Sequence, residues 1–252
     1  MKIKEKIITA LVYLKNRKKR ETISQAKQFK GSNAVEIGGP SKIFGLKSFF
    51  PVYLYANSVD GVNFSDSTIW EGHIQKGRTY RYIPSKEPGL QIIDEADELN
   101  QINDNVYDSL ISSHCLEHIA NPMKALKNWI RVVKPKGKLC VVVPFKESMF
   151  DHKRPFTSFE HLLNDYKNHI GEDDTTHFVE SIELTDLSDP VMKNISKEEF
   201  IQRTHHNFQN RCVHHHVFNK DVLAEMFLHF GCKILYNSIY HNSQLLVIAQ
   251  KP

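Results

Sequence analysis

The sequence predicts an α/β fold with a doubly wound, mainly parallel sheet. Short apolar runs alternate with helical patterns along the first 144 residues, and each run ends at a turn or a polar group. One run, 139–143, is apolar at every position, as in a strand buried on both faces. The 252 residues are enough for one domain with a substantial insertion.

The predicted elements follow in chain order. Strands are expected at 33–37, 49–54, 90–93, 107–113 and 139–143. A helix is expected over 116–133, with Pro122 shaping its first turns. A polar, His-rich and irregular region follows, with only short helical patterns. A helix is then expected over 220–230, and strands at 233–240 and 244–249 are expected to form an antiparallel hairpin.

Composition describes an ordinary globular protein and excludes several classes. Hydrophobic residues make up 40% and charged residues 25%, so a core can form without disulfides. The four cysteines include no C-x-x-C pair, which argues against a disulfide framework and fits a cytoplasmic location. A net charge of +4 is too small to predict a nucleic-acid partner. The sequence has no apolar run of about 18 residues, so it predicts no transmembrane segment.

The first 30 residues are predicted to form an N-terminal helix. Their apolar side chains recur at helical spacing, and Lys18, Lys19 and Arg20 suit the negative end of a helix dipole. A weak contact with an anionic membrane or a nucleotide is the alternative interpretation.

The first strand ends in V-E-I-G-G-P-S, which contains Glu36, Gly38 and Gly39. Ligands of open α/β sheets bind beyond the carboxyl ends of the strands. Glycines there let the backbone approach a ligand, and Glu36 can accept hydrogen bonds from a ligand ammonium. A glycine turn without any ligand is the alternative.

The next two strand ends carry acids. Asp60 lies 22 residues after Gly38, near the spacing at which an acid binds ribose hydroxyls, and Asn57 is a neutral substitute. A simple turn acid is equally compatible. The third end, I-I-D-E-A-D-E-L, offers carboxylates and the Ala96 N–H for an adenine ring, or acids that favour a helix N-terminus.

The fourth strand end carries the most specific motif, S-H-C-L-E-H at 113–118, followed by R-V-V-K-P-K-G-K-L at 131–139. With these motifs, residues 33–144 resemble the class I S-adenosylmethionine-dependent methyltransferase superfamily. The resemblance implies a Rossmann-like, seven-stranded sheet with an antiparallel last strand, and S-adenosylmethionine as cofactor. The chain departs from the usual E-x-G-x-G-x-G pattern, since Pro40 and Lys42 occupy the later glycine positions.

The resemblance also implies roles for particular residues. Glu36, Gly38 and Gly39 would hold the methionine part, Glu95 and Ala96 the adenine, and Ser113 and His114 would lie beside the acceptor. The ribose partner stays open between Asp60 and Asn57. One domain, 1–252, then comprises the N-terminal helix (1–30), a cofactor-binding half (31–144), an acceptor-binding insertion (145–216), and the final helix and hairpin (217–252).

The insertion resembles one branch of the superfamily, associated with surface-polysaccharide synthesis. It carries Asp151 and Arg154, then a His-x-x-Glu at His177, then an H-x-H-V that contains His216. Imidazole is a general base near neutral pH, so His114, His177 and His216 are candidate bases. Asp151 and Arg154 would orient the base or bind an acidic acceptor.

The sequence therefore predicts a methyltransferase acting on a small anionic acceptor, such as a nucleotide-activated or phosphorylated capsule precursor. No metal site is expected, because the cysteines and histidines lack zinc-site spacing. A centre built from the histidines with Asp173 or Asp174 is the alternative. A non-catalytic protein that binds S-adenosylmethionine or S-adenosylhomocysteine is the competing function. A nicotinamide-dependent oxidoreductase is disfavoured, because G-x-G-x-x-G is absent.

Overall fold

The structure, a computed structural model, describes residues 17–252. The apolar positions of the predicted N-terminal helix, before residue 17, lie outside the described residues. Helix α1 (Arg17–Ala26) and a 3-10 turn (Lys27–Phe29) lead into the first strand.

One mixed sheet organises the chain, in the order β5-β6-β2-β1-β7-β8-β10-β9. Its strands are β1 (Asn33–Ile37), β2 (Ser58–Asn63), β5 (Gly77–Tyr80), β6 (Gly89–Ile93), β7 (Tyr107–Ser113), β8 (Val133–Pro144), β9 (Lys233–Tyr240) and β10 (Gln244–Gln250). A small separate hairpin consists of β3 (Ser67–Thr68) and β4 (Gly72–His73).

The strand directions confirm the predicted fold class. Strands β6, β2, β1, β7 and β8 run parallel, and β10 is antiparallel to both β8 and β9. These seven strands form the predicted sheet with an antiparallel last strand. The short strand β5 adds an antiparallel edge that the sequence analysis did not predict. The order reverses between β1 and β7, so the loops after these two strands diverge and leave a crevice at their carboxyl ends.

The predicted strand at 49–54 is wrong. Val52–Tyr55 forms a short helix, α2, and the second strand is β2, several residues later. Val52, Tyr53 and Leu54 are all buried, and periodicity cannot distinguish a short buried helix from a buried strand. Strand β2 contains Gly61, whose missing Cβ leaves room for the Tyr80 ring; a Cβ there would lie 2.1 Å from it.

Two apolar clusters cover the two faces of the sheet. One packs helix α3 (Pro122–Val132) and helix α8 (Lys220–His229) on the sheet through Trp129 and Leu223. The other packs Phe29, Phe50 and Tyr53 on the opposite face. The helix predicted over 116–133 is shorter in the structure. Leu116–His118 forms a 3-10 turn, and α3 begins at Pro122, where the Asn121 side chain accepts a hydrogen bond from the Lys124 N–H.

The insertion is more helical than its polar sequence predicts. Helices α4 (Phe159–Lys167), α5 (Phe178–Leu184), α6 (Lys197–His205) and α7 (Asn207–Asn210) alternate with 3-10 turns at Lys146–Ser148 and Pro190–Met192. Capping explains two of them: the Ser158 side chain begins α4, and Ser196 with Glu199 forms a capping box on α6. Across residues 17–252, no helix has the length and apolarity to cross a membrane.

Candidate active site

A cavity of about 700 Å³ opens at the carboxyl ends of the parallel strands. The residues that follow β1, β2, β6 and β7 all contribute to its wall: Gly38, Asn63, Glu95, Ala96, Ser113 and His114. The insertion covers the other side with residues that include Met149, Phe150, Arg203, Arg211 and His214. A volume of this size holds a cofactor together with a small second molecule.

The glycine turn after β1 is held rigidly against the sheet. Gly38 has a φ of +76°, which favours glycine, and a Cβ there would lie 3.0 Å from the Cys115 side chain. The Asn63 amide donates to the Gly39 carbonyl at 3.2 Å. Gly38 lines the cavity, whereas Gly39 is buried behind the turn.

Glu36 supports this turn from inside the protein. Its carboxylate is fully buried and accepts hydrogen bonds from Tyr53 (2.5 Å), Tyr80 (2.6 Å) and the Ser41 N–H (2.9 Å). Burial raises the pKa of Glu36 to about 7, although these three donors act to lower it. Glu36 does not line the cavity, so in this structure it contacts the turn and not the open space.

The two candidates for a ribose partner lie away from the cavity. Asp60 is in the middle of β2, where its carboxylate accepts from the Leu90 N–H at 2.7 Å and from the Tyr107 hydroxyl at 2.9 Å. Asn57 directly precedes β2, at the amino ends of the parallel strands, and its side-chain amide donates a hydrogen bond to the Asn33 side chain. Both ribose-partner predictions depend on a second strand at 49–54, whereas the second strand of the structure is β2. The residue that does end this strand inside the cavity is Asn63, which the sequence analysis missed.

At the third strand end, Glu95 and Ala96 both line the cavity. The Ala96 carbonyl accepts a hydrogen bond from the Trp129 indole at 2.7 Å, which fixes this loop on α3. The Glu95 carboxylate pairs with Arg211 of the insertion at 3.2 Å. Arg211 also pairs with Glu172 at 2.6 Å, so the insertion is bound to the sheet across the mouth of the cavity.

At the fourth strand end, Ser113 and His114 line the cavity next to each other. His114 has a φ of +52°, and its Nε2 lies 2.6 Å from the Gln244 side-chain oxygen. Because that oxygen only accepts hydrogen bonds, Nε2 carries the hydrogen. The His114 Nδ1 lies 3.6 Å from Glu117.

Glu117, in the same motif, is a buried carboxyl group beside the cavity wall. Neither of its side-chain oxygens has a hydrogen-bond partner among residues 17–252. Burial raises the pKa of Glu117 to about 8, and the charge of Asp151 adds to this effect. Glu117, His118 and His214 bring one ligand-type atom each within 4.8 Å of one another.

Asp151 and Arg154 both act on His214, a residue that the sequence analysis did not name as a candidate base. The His214 Nδ1 lies 2.8 Å from the buried Asp151 carboxylate. Burial acts to raise the pKa of Asp151, but the bond to His214 and the charges of His214 and Arg154 hold it below its usual value. The buried Arg154 guanidinium donates to the carbonyls of His214 (2.5 Å) and His215 (3.1 Å) and to Glu180 (2.7 Å).

His177 and His216 lie together but not on the cavity wall. They meet His161 and Asp165 in a second group, which we call the insertion cluster. The motif spacing gave no sign of this separation, because His214 and His216 are only two residues apart and point to different sites.

Among residues 17–252, four cationic side chains line the cavity wall: Lys42, Lys193, Arg203 and Arg211. Arg211 is neutralised by its two carboxylates. Within the described chain, Lys42, Lys193 and Arg203 form no ion pair, although Lys42 is close enough to Glu71 to affect its pKa. Lys193 and Arg203 come from the insertion and therefore add positive charge on the side away from the strand ends.

Known proteins that are similar to this chain indicate the class of its domain. Residues 52–141 match a family model described as a methyltransferase domain. A protein from Listeria monocytogenes that is described as an S-adenosylmethionine-dependent methyltransferase has a similar structure. Its TM-score is 0.50, with 14% identity over 92% of this chain and 99% of that one. One from Aquifex aeolicus has a TM-score of 0.49 and 12% identity over the whole of both chains. No curated protein sequence matches the chain.

The match over residues 52–141 shows a methyltransferase domain in this chain, as its sequence predicts, and methyltransferases of this kind use S-adenosylmethionine as cofactor. The Listeria structure bears out the fold alone. The cavity fits the cofactor in size and in chemistry. Gly38 and Lys42 offer a close backbone and an ammonium group near the crevice, and Glu95 and Ala96 offer a carboxylate and a backbone N–H for an adenine.

Proposed function

We propose that this methyltransferase O-methylates a small anionic acceptor, such as a nucleotide-activated or phosphorylated polysaccharide precursor, with His214 as general base. The observation that carries the proposal is the pair formed by Asp151 and His214 at the cavity wall. S-adenosylmethionine supplies an electrophilic methyl group when it is bound. The remaining requirements, orientation of the acceptor and removal of one proton, belong to the protein.

The hydrogen bonds of His214 define its role. The Asp151 carboxylate is an acceptor only, so the hydrogen of a neutral imidazole is on Nδ1 and the lone pair is on Nε2. Among residues 17–252, the His214 ring has its hydrogen bond at Nδ1, and the residue lines the cavity. It can therefore take the proton of an acceptor hydroxyl as the oxygen forms its bond to the methyl carbon, and Asp151 stabilises the resulting imidazolium.

Arg154 is a positioning residue in this proposal. Its guanidinium is buried and turned toward two main-chain carbonyls, and it does not line the cavity. It fixes the backbone at His214 and so the direction of the imidazole. Direct binding of an acceptor, the other role considered for Arg154, would require this side chain to leave three hydrogen bonds.

The cofactor would lie along the strand ends. Lys42 would pair with its carboxylate near Gly38, Asn63 would lie beside the ribose, and Glu95 with Ala96 would meet the adenine. Ser113 and His114 would then lie between the cofactor and the acceptor. This arrangement leaves Glu36 as the support of the glycine turn.

The acceptor would enter from the insertion side. Lys193 and Arg203 line that part of the cavity and lack carboxylate partners among the described residues. Cations of this kind favour phosphate or carboxylate groups, and Arg can hold a phosphate through two parallel hydrogen bonds. An anionic acceptor is thus preferred over a neutral one.

The test is release of S-adenosylhomocysteine by the purified full chain with matched acceptors: a sugar phosphate, a nucleotide sugar and the neutral parent sugar. We expect turnover with an anionic acceptor, and a loss of about 10²–10⁴-fold in His214→Gln. His206→Gln, an exposed histidine of the same insertion, is the matched control and should keep full activity. Cofactor affinity, measured by calorimetry, should stay the same in both variants.

Two outcomes would overturn the proposal. Full turnover by His214→Gln would exclude His214 as the general base. Equal turnover of the neutral sugar would exclude a preference for an anionic acceptor. Tight binding of S-adenosylmethionine with no turnover on any of the three acceptors would favour the competing function, a binding protein without catalysis.

A further inference from the structure

The insertion cluster brings three imidazoles and one carboxylate together from three separate segments. His161 and Asp165 lie one turn apart on α4, His177 immediately precedes α5, and His216 lies in the segment before α8. One ligand-type atom from each lies within 4.8 Å of the others. The sequence predicted no metal site, because its cysteines and histidines lack zinc-site spacing.

The distances within the cluster suit a metal ion. His161 Nε2 lies 3.2 Å from His177 Nε2 and 3.2 Å from Asp165 Oδ2. In a tetrahedral zinc site with bonds of about 2.0–2.1 Å, neighbouring ligand atoms are about 3.3 Å apart. His216 also brings one ligand-type atom within 4.8 Å of those of the other three residues.

Two buried atoms in the cluster have lone pairs but no donor. Asp165 Oδ2 and His216 Nδ1 both lack a hydrogen-bond partner in the described chain, and His216 is 1% exposed. Buried polar atoms are normally paired. The His216 Nε2 must carry the hydrogen, because it lies 3.0 Å from the Ala120 carbonyl. A histidine that binds a metal commonly donates its other N–H to a carbonyl in this way.

We propose that the insertion cluster binds one divalent transition-metal ion of the zinc class, held by His161, Asp165, His177 and His216. Four protein ligands make a closed site, which is typical of a structural and not a catalytic ion. The exposed edge of His161 gives the ion a path from solvent.

The ion would join three segments of the insertion. It would tie α4 and the start of α5 to the irregular segment that carries His214, two residues before His216. The site is separate from the cavity, so its occupancy does not depend on methyl transfer.

The experiment uses the full chain, stripped with a chelator and then titrated with Co²⁺ and Zn²⁺. We expect one equivalent of Co²⁺ with the intense visible absorption of a tetrahedral site, its displacement by one equivalent of Zn²⁺, and a higher melting temperature with Zn²⁺. Asp165→Asn and His161→Ala should lose the absorption. His118→Ala, which removes a cavity histidine, should keep it. Near-UV circular dichroism checks the fold of each variant.

Absence of a stoichiometric tetrahedral Co²⁺ spectrum in the unsubstituted chain overturns the proposal, whatever the variants do. Retention of the spectrum by folded Asp165→Asn and His161→Ala also overturns it. Loss of the spectrum in His118→Ala alone would place the ion at Glu117, His118 and His214 instead. Since the readout is metal binding, a failure here is distinguishable from a failure of the proposed activity.

Discussion

Replacement of Asp151 by Asn tests the role of the Asp151–His214 pair with the smallest change in shape. The amide oxygen can still accept the hydrogen of His214 Nδ1, so the ring orientation is kept and only the charge is lost. The pair is nearly inaccessible to solvent, with an N–O distance of 2.8 Å. Two unit charges about 4 Å apart interact by about 4 kcal/mol at an effective dielectric constant near 20. That interaction stabilises the imidazolium that forms as the proton is removed.

A loss of about 4 kcal/mol corresponds to a fall of about 10³-fold in kcat. The assay is steady-state release of S-adenosylhomocysteine with the best anionic acceptor, together with calorimetric titration of the cofactor. We expect kcat to fall and the cofactor Kd to stay the same, because Asp151 does not line the cavity. A folded Asp151→Asn variant with kcat within about threefold of the unsubstituted chain would refute the reasoning, since general-base catalysis alone contributes more than this.

Three further predictions concern the support of the site. The pKa of Glu36 is about 7 in the folded chain, against 4.5 for a free carboxyl. The stability that its protonated form contributes is therefore complete below about pH 4.5 and is lost as the pH rises through about 7. In thermal unfolding, the unsubstituted chain should lose roughly 2–3 kcal/mol relative to Glu36→Gln between about pH 5 and pH 8, and parallel pH profiles of the two proteins would contradict this. Lys193→Ala and Arg203→Ala should each raise the acceptor KM about tenfold or more, less so at high salt, with the cofactor Kd unchanged; an unchanged KM at low salt would argue against an anionic acceptor. Trp129→Phe should lower the free energy of unfolding in urea by about 1–3 kcal/mol, because the buried Ala96 carbonyl loses its donor, and a change within error would show that this bond does not hold the loop.

The sequence predicted the fold well where one signal dominated. The strands at Asn33–Ile37 and Tyr107–Ser113 and the final hairpin lie where their patterns place them, because each apolar run is bounded by clear turn residues. The prediction of the second strand was wrong because β2 contains Asp60 and Asn63, whose polar side chains form hydrogen bonds inside the fold. Local hydrophobicity favours the neighbouring buried helix instead.

The site was predictable only as far as the strand ends. Gly38, Glu95, Ala96, Ser113 and His114 line the cavity, since the carboxyl ends of parallel strands meet at one edge. The insertion was harder, because its histidines divide between two sites according to tertiary contacts. Adjacent positions such as His215 and His216 gave no local sign of which side chain would meet Asp151, and the carboxylate partner lies 63 residues before His214.

The most direct test of the account is a crystal structure of the chain with S-adenosylhomocysteine. We expect the adenine beside Glu95 and Ala96, the ribose beside Asn63, and the sulfur next to Ser113 and His114. The sulfur should lie about 6–8 Å from His214 Nε2, the span of one near-attack contact and one hydrogen bond. A product molecule bound outside the cavity, or a sulfur separated from His214 by the wall of the cavity, would contradict it.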